Sequence, residues 1–374
     1  MDTRIAGAQS IPTLPAVPAA QPAAWQVVGA VVRGVSHERL GMPCQDAQDY
    51  RLLPGGILLV ALADGAGSAA FSDQGARAAV NEALHALAGS FEPGLPADNE
   101  AWQALLRDVF AGARAAVLRL AETNVKEGVD PKAATRLPDE PEGFQDPAAA
   151  APEEDEAALD FAEFEEPEIS PVPGQPGRAY ATTLTCAVVT AGQLVVGQIG
   201  DGVVVAGEGA DLFTVTHLQR GEYANETHFL TQVDALDHLA IEIVDRPVSA
   251  LAVMSDGLIR LALKMPAQEP HEPFFQPLFR VTAAMQDAAE VARQLSAFLG
   301  SERVNARTDD DKSLVLAVRV ESHRVSGETP KNGEGTLAEG RLARAAGSAK
   351  TGAGDPGPAN GIEGSQSSPD RETG

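Results

Sequence analysis

The stretch that decides the fold is 57-ILLVALADG-65, an unbroken apolar run that leads directly into Asp64-Gly65. Apolar runs of this length are typical of strands that are buried on both faces. The same pattern returns in 194-LVVGQIGDG-202 and in 251-LAVMSDG-257, where an Asp-Gly pair again follows apolar residues. Because an Asp-Gly pair favours a turn, we predict three buried strands that each lead into an aspartate.

Further segments extend this pattern to an α+β fold. A helix is predicted after Ser72, its N-cap, with Gly89 as its C-terminal stop. A second helix carries an apolar face from Trp102 to Val117, and helical patterning returns in residues 283–299. More strands are predicted for residues 25–35, 182–189, 203–206, 239–244 and 313–320. This order of elements predicts a β-sandwich of stacked sheets with helices on the outside.

Three stretches lack periodic apolar residues and are rich in Pro, Gly or acidic residues. They predict a disordered N-terminal segment at residues 1–24, an acidic disordered insertion at about residues 130–178, and a disordered C-terminal tail at residues 322–374. The folded domain is then expected to occupy residues 25–321, interrupted by the insertion.

The formal net charge of -25 argues against nucleic acid or an anionic membrane as the main partner, because like charges repel. A phosphorylated substrate stays compatible, since a bound divalent cation reverses the local charge. The start of the chain lacks a cationic and then apolar leader, and no apolar run is long enough to span a bilayer. We therefore expect a cytoplasmic monomer. Cys44 and Cys186 lack metal-site spacing and are expected to be plain thiols.

Aspartates stand beside the predicted strands, and together they suggest a metal site. Asp64, Asp201 and Asp256 follow strands, while Asp46 and Asp310 precede extended segments. Taken singly, each has an ordinary interpretation as a turn residue. Several carboxylates at strand ends can also converge, and then they require a cation, for which oxygen ligands favour Mg²⁺ or Mn²⁺. The residues alone leave both interpretations open.

Six motifs in order carry a resemblance to a known family. They are 41-GMPCQDA-47, 60-VALADGAGSA-69, 181-ATTLTCAVV-189, 196-VGQIGDG-202, 253-VMSDG-257 and 309-DDDKSLVLAV-318. This series resembles the PPM family, the type 2C metal-dependent protein phosphatases, and in particular its bacterial members. The resemblance covers roughly residues 25–321 outside the acidic insertion. It implies two antiparallel sheets flanked by helices, with metal ions in a cleft at one end.

The resemblance also implies roles for individual residues. Asp64 resembles the carboxylate that bridges two catalytic cations, Mn²⁺ or Mg²⁺, and the Gly65 carbonyl resembles a further ligand. Asp256 and Asp310 resemble the other ligands of the first cation, and Asp46 resembles a nearby ligand or a carboxylate that orients water. Asp201 resembles a residue that helps to bind a third cation. The implied mechanism is direct attack on phosphorus by a water or hydroxide between the cations, without a phosphoenzyme.

Several positions depart from the family pattern. Gln45 stands where many relatives have Glu, and Ala66 stands where some members carry a histidine that donates a proton. Arg260 replaces an aspartate often found at the third cation, which puts that cation in doubt. Arg39 is the nearest candidate for the phosphate-binding arginine, although its spacing differs by about two residues and it could be a solvated loop arginine.

Other polar residues keep two interpretations. His37 and His228 are expected to be surface or hydrogen-bonded structural residues rather than catalytic groups. Asn225, Glu226 and Thr227 could belong to a substrate-contacting flap or to an ordinary turn.

The sequence therefore predicts an enzyme that hydrolyses phosphoserine and phosphothreonine in proteins, acting on substrates of a serine/threonine kinase. The alternative is a phosphoprotein-binding pseudophosphatase of the same fold, for which Gln45, Ala66 and Arg260 are the support. The substrate and its kinase are not legible in the sequence.

Overall fold

A computed structural model describes residues 24–92, 94–129, 176–208, 211–216 and 227–320. They belong to one compact unit, Met1–His323, and the second unit, Arg324–Gly374, lies outside the described residues. The predicted N-terminal segment up to residue 23, most of the predicted insertion and the predicted tail lie outside them as well. Residues 176–178, predicted as the end of the insertion, belong to a short 3-10 helix, Pro176–Tyr180.

Two five-stranded antiparallel sheets form the centre of the fold. The first contains Ala24–Val32 (β1), Val203–Glu208 (β6), Asp211–Thr214 (β7), Ala250–Met254 (β9) and Lys312–Val320 (β12), in the order β1-β12-β9-β6-β7. The second contains Ala47–Leu53 (β2), Ile57–Ala63 (β3), Leu184–Val189 (β4), Leu194–Ile199 (β5) and Ala240–Val244 (β8), in the order β2-β3-β4-β5-β8. A small ribbon pairs Leu263–Lys264 (β10) with Glu269–Pro270 (β11).

Helices cover the outer faces of both sheets. They are Val35–Arg39 (α1), Ser72–Ser90 (α2), Asn99–Lys126 (α3), Ile259–Ala262 (α4), Glu272–Ala283 (α5), Ala288–Leu299 (α6) and Glu302–Asn305 (α7). Short 3-10 turns occur at Ala235–Asp237 and Asp256–Leu258. Helices α2 and α3 pack on the second sheet, and α5 and α6 pack on the first.

The burial of β3 explains its unbroken apolar sequence. Leu59 and Ala61 face α2 and α3, whereas Leu58, Val60 and Leu62 face the other sheet. Because successive side chains of a strand point to opposite faces, a strand between two cores must be apolar at every position. The predicted β-sandwich of two antiparallel sheets flanked by helices is confirmed.

Some predicted boundaries were wrong. Ser72 is the first residue of α2 rather than its N-cap, and its Oγ donates a hydrogen bond to the Ala69 carbonyl (3.1 Å). Helix α2 continues through Gly89 to Ser90. The helix predicted from residue 283 begins at Ala288, where the Asp287 side chain accepts hydrogen bonds from the first turn.

Two further observations concern the two cysteines and the lengths of the helices. Cys44 and Cys186 are both free cysteines, as predicted. Within the described ranges, none of the helices combines the length and apolar character that a bilayer crossing requires.

Candidate active site

Four of the predicted carboxylates lie at one end of the sandwich because of strand pairing. Asp46 precedes β2 and Asp64 follows β3, and these two strands are antiparallel neighbours. Asp256 follows β9 and Asp310 stands two residues before β12, which pair in the same way. The end of one strand lies beside the start of its antiparallel partner. Each sheet therefore contributes two carboxylates to the same end of the fold.

The charges of these carboxylates affect one another strongly. Burial raises the pKa of Asp64 well above its usual range, and the charges of Asp46, Asp256 and Asp310 raise it further. The pKa of Asp256 is raised well above its usual range by burial and then by the charges of Asp201 and Asp310. Burial raises the pKa of Asp310 too. The cluster thus holds more negative charge than its surroundings neutralise.

Backbone contacts fix the position of Asp64. Its N–H donates a hydrogen bond to Thr183 Oγ1 (2.9 Å), and its carbonyl accepts from the Thr183 N–H (2.7 Å) and from Thr182 Oγ1 (2.9 Å). At Gly65 a Cβ would lie 2.7 Å from the Ser72 Cβ and 2.8 Å from the Gln45 carbonyl oxygen. The Asp-Gly pair is therefore held between three segments, and the second position has no room for a side chain.

Asp46 is oriented by residues of the other sheet. Ser255 Oγ donates a hydrogen bond to Asp46 Oδ2 (2.8 Å) and accepts one from the Ser313 N–H (2.9 Å). Burial raises the pKa of Asp46 to about 7, and the charge of Asp311 contributes in the same direction. Ser255 thus links the two sheets at the carboxylate cluster, a role that sequence reasoning did not identify.

Asp311 is a second residue that sequence reasoning missed. Its carboxylate accepts hydrogen bonds from the backbone N–H groups of Gly34 (2.6 Å) and Gln45 (2.5 Å), and it lies 3.0 Å from His37 Nδ1. Burial raises the pKa of Asp311, but these contacts outweigh burial and lower it. His37 is therefore a buried, paired residue, which agrees with its predicted structural role. Only the run of three aspartates before β12 signalled Asp311.

The other predicted polar residues lie in different environments. Asp201 Oδ2 accepts a hydrogen bond from Thr227 Oγ1 (3.0 Å), and Thr227 keeps both of its predicted interpretations, a flap residue or a turn residue. Asn225 and Glu226 lie outside the described residues. The ring of His228 stacks on His238, with 3.6 Å between ring centroids. Arg39 is exposed at the end of α1.

Two positions that depart from the family pattern also have clear environments. Ala66 is buried in a small apolar cluster with Ala69, Ala181 and Phe229, so it supplies no proton donor. Gln45 is buried, and its side-chain oxygen has no hydrogen-bond partner among the described residues. That oxygen is therefore available as a neutral ligand atom.

The donor set fits a hard divalent cation. Buried Asp46 Oδ1 and Asp256 Oδ1 have no hydrogen-bond partner in the described part of the chain, which is costly for carboxylate oxygens unless a cation binds them. All of the available atoms are oxygens, which Mg²⁺ and Mn²⁺ prefer. Within the described ranges, no three His, Cys, Asp or Glu side chains are already arranged to enclose a metal ion. The support for a cation therefore comes from the negative charge and the unpartnered oxygens of the cluster, and not from a preformed arrangement of ligands.

Comparison with known proteins identifies the family. The family model described as protein phosphatase 2C matches residues 33–300. The chain belongs to the protein phosphatase 2C family. Serine/threonine-protein phosphatase 3 of Escherichia coli (strain K12) is 32% identical over 303 residues, which cover 79% of this chain and 99% of that protein.

Solved structures of bacterial phosphatases are also similar. The serine/threonine phosphatase Stp1 of Staphylococcus aureus is 12% identical with a TM-score of 0.46, and the match covers 82% of this chain and 99% of Stp1. The catalytic domain of the phosphatase PstP in complex with two manganese ions is 18% identical with a TM-score of 0.41, and the match covers 79% of this chain and 98% of that domain.

Membership of the protein phosphatase 2C family makes this chain a protein phosphatase. The prediction of a phosphatase enzyme, which the six motifs carried, is confirmed.

Proposed function

We propose that this protein hydrolyses phosphoserine and phosphothreonine side chains of proteins with the help of divalent cations held by Asp46, Asp64, Asp256, Asp310 and the Gly65 carbonyl. The observation that carries the proposal is the convergence of four carboxylates from two sheets, each raised in pKa by burial. The serine/threonine specificity in the name of the Escherichia coli relative supports the substrate class. We also expect the substrates to be those of a serine/threonine kinase and the protein to act as a cytoplasmic monomer.

When bound, Mn²⁺ or Mg²⁺ supplies a polarised water and a positive clamp for phosphoryl oxygens. The protein contributes positioned charge. The family resemblance assigns Asp64 the bridging position, and the influence of the charges of Asp46, Asp256 and Asp310 on its pKa supports that assignment. Asp46, fixed by Ser255, is suited to act as a cation ligand or to orient water. Asp256 and Asp310 complete the set for the first cation.

Asp311 is assigned a positioning role rather than a ligand role. Its carboxylate is already engaged by two backbone N–H groups and by His37. These contacts join the segment before α1, the segment before β2 and the segment before β12. Asp311 therefore holds Asp46 and Asp310 at a fixed separation by tying together the chain segments that carry them.

Asp201 and Arg39 keep secondary roles in the proposal. The charge of Asp201 raises the pKa of Asp256, which supports a position of Asp201 near the cluster. Arg260 four residues after Asp256 disfavours that third cation. Arg39 is exposed and could reach a phosphorylated protein from the surface.

The test measures turnover of an aryl phosphate and of phosphoserine, phosphothreonine and phosphotyrosine peptides. We expect no activity in chelator, and recovery with Mn²⁺ that exceeds recovery with Ca²⁺, because Ca²⁺ prefers more ligands and longer distances. The phosphoserine and phosphothreonine peptides should react faster than the phosphotyrosine peptide. Activity that survives complete metal removal would refute the proposal.

Single substitutions separate the assigned roles. Asp64→Asn should lower turnover by several orders of magnitude, whereas excess Mn²⁺ should partly rescue Asp256→Asn and Asp310→Asn. Asp201→Asn should have a milder effect. Asp49→Asn is the matched control, because Asp49 is an exposed carboxylate on β2. Mn²⁺ binding by calorimetry and the melting temperature distinguish loss of the cation from loss of the fold. Equal damage by Asp201→Asn and Asp64→Asn in folded proteins would instead favour a third catalytic cation.

A further inference from the structure

A cavity lies between the first sheet and the helices that cover it, and none of the four clustered carboxylates lines it. Its volume is about 640 Å³. Val28 and Leu316 of the sheet form its floor, and residues of α5 and α6 form its walls. A volume of this size is in the range of small-molecule binding sites.

The wall of the cavity is mainly apolar. Phe274 and Leu278 from α5 and Leu295 and Phe298 from α6 line it. Phe274 and Phe298 lie with their ring centroids 6.2 Å apart and form the aromatic part of this wall. An apolar wall of this kind favours a ligand with an alkyl or aromatic body.

Every charged side chain that lines the cavity is an arginine. Arg260, Arg303 and Arg307 line it together with His271, and its described lining contains neither Asp nor Glu. The whole chain has 53 acidic residues and 28 basic residues. With this composition, a cavity lining that contains arginines but no acidic residue is unexpected. Within the described ranges, the guanidinium groups of Arg303 and Arg307 make no ion pair or hydrogen bond. Their charges are therefore free to bind an anion.

Two of these arginines come from the same short segment at the cavity. Arg303 belongs to α7, and the Arg307 N–H donates a hydrogen bond to the Val304 carbonyl (2.9 Å), which extends the turn beyond the helix. The side chains of both arginines line the cavity. Val304 itself is buried and contributes to the lining. The apolar interior thus opens toward a pair of positive charges.

We propose that this cavity binds a small amphipathic anion, with its alkyl or aromatic body between α5 and α6 and its carboxylate or phosphate group at Arg303 and Arg307. This site is separate from the proposed phosphatase chemistry, and the two can be tested independently. The ligand class follows from two features of the cavity. Its apolar walls favour an apolar body, and its positively charged arginines favour an anionic group over a neutral one.

The experiment uses the full-length protein and the fluorescent anion 8-anilinonaphthalene-1-sulfonate, which is then displaced by decanoate or by decanol. Both competitors carry the same alkyl chain, and only decanoate is charged. We expect the probe to bind and decanoate to displace it about two- to fivefold more effectively than decanol, which is the contribution of one exposed ion pair. No binding of the probe, or equal displacement by the two competitors, would overturn the proposal.

Three variants locate the site. Arg303→Gln combined with Arg307→Gln should abolish the preference for decanoate while leaving displacement by decanol unchanged. Val281→Glu places a negative charge at the rim and should weaken binding of the anionic probe, and the side chain at this position is 47% exposed, so the fold should tolerate it. Arg280→Gln is the matched control, because Arg280 is an exposed arginine of α5 that does not line the cavity. If the control changes binding as much as the double variant at equal melting temperature, general surface charge is responsible and the assignment fails.

Discussion

The two helical layers of this protein pack very differently on their sheets. In the layer of α2 and α3, Leu84, Leu106 and Phe110 are fully buried. In the layer of α5 and α6, Leu278, Val291 and Phe298 are only partly buried, and a cavity of about 640 Å³ remains. The layers have similar positions in the sandwich, so architecture alone does not decide how densely a layer packs.

The residues at the contact explain the difference. Helix α2 presents Ala76, Ala79 and Ala83 to the core, which lets its neighbours approach closely. Gly197 in β5 leaves space for the ring of Phe110 directly on the strand. Helix α5, in contrast, contains an internal Pro277, which lacks the backbone N–H of a regular helical turn and lines the open space. Small residues at the contact thus accompany the dense layer, whereas the other layer keeps an open cavity.

The largest expected effect tests the dense layer. Phe110→Ala should destabilise the protein by about 3–5 kcal/mol, because the tightly packed surroundings cannot collapse into the space. Urea denaturation followed by circular dichroism measures the free energy of unfolding. A loss below about 1 kcal/mol would show that this layer is less dense than its burial suggests.

Gly197→Ala tests the contact between α3 and β5 from the strand side. The added Cβ would lie 2.8 Å from Phe110 Cε2, so we expect a cost of about 1–3 kcal/mol from overpacking. Gly89→Ala is the control, because a Cβ there meets no atom within 4 Å and the change should be neutral or stabilising. In the Phe110→Ala background the cost of Gly197→Ala should disappear, and its persistence would assign the cost to another contact.

Phe298→Ala removes a ring from the loosely packed layer. We expect a cost of about 1–2 kcal/mol, since this ring borders open space and already lacks part of its contacts. The same denaturation experiment gives the comparison with Phe110→Ala. Equal losses for the two variants would remove the distinction between the layers.

The smallest expected effect comes from filling the cavity. Val291→Ile adds one methylene at the cavity wall and should stabilise the protein by up to about 0.8 kcal/mol. Val109→Ile makes the same change in the dense layer, where Val109 is buried, and should destabilise it. If both changes act in the same direction, the difference in packing does not control stability.

Much of the fold was legible in the sequence because burial on both faces forces continuous apolar strands. Strands β3, β5 and β9 were predicted within one residue at each end. Helix α5 was missed because Pro273 and Pro277 obscure its helical pattern. The cavity could not be predicted either, since it depends on the spacing between helices rather than on any motif.

The positions of the site carboxylates were predictable from motifs, but their supporting contacts were not. The hydrogen bonds of Asp311 to Gly34 and Gln45 join residues that are 277 and 266 positions apart. The bond between Ser255 and Asp46 spans 209 positions. No local pattern encodes such pairs: the bond to Gly34 follows from the pairing of β1 with β12, and the bonds to Gln45 and Asp46 exist only after the two sheets have packed together.

The pairing of β1 with β12 has a mechanical consequence. The pairing of these strands runs from Ala24 with Val320 to Val32 with Lys312. The chain therefore enters β1 and leaves β12 at the same corner of the sandwich. A pull between these ends opens the ladder one pair at a time instead of shearing all of its bonds together. Strand β1 is an edge strand held by one neighbour, while β12 is held by two. Among the described strands, release of β1 by a force on its amino-terminal end therefore breaks only the β1–β12 ladder. Release of β12 by a force on its carboxyl-terminal end must break the ladders with both β1 and β9.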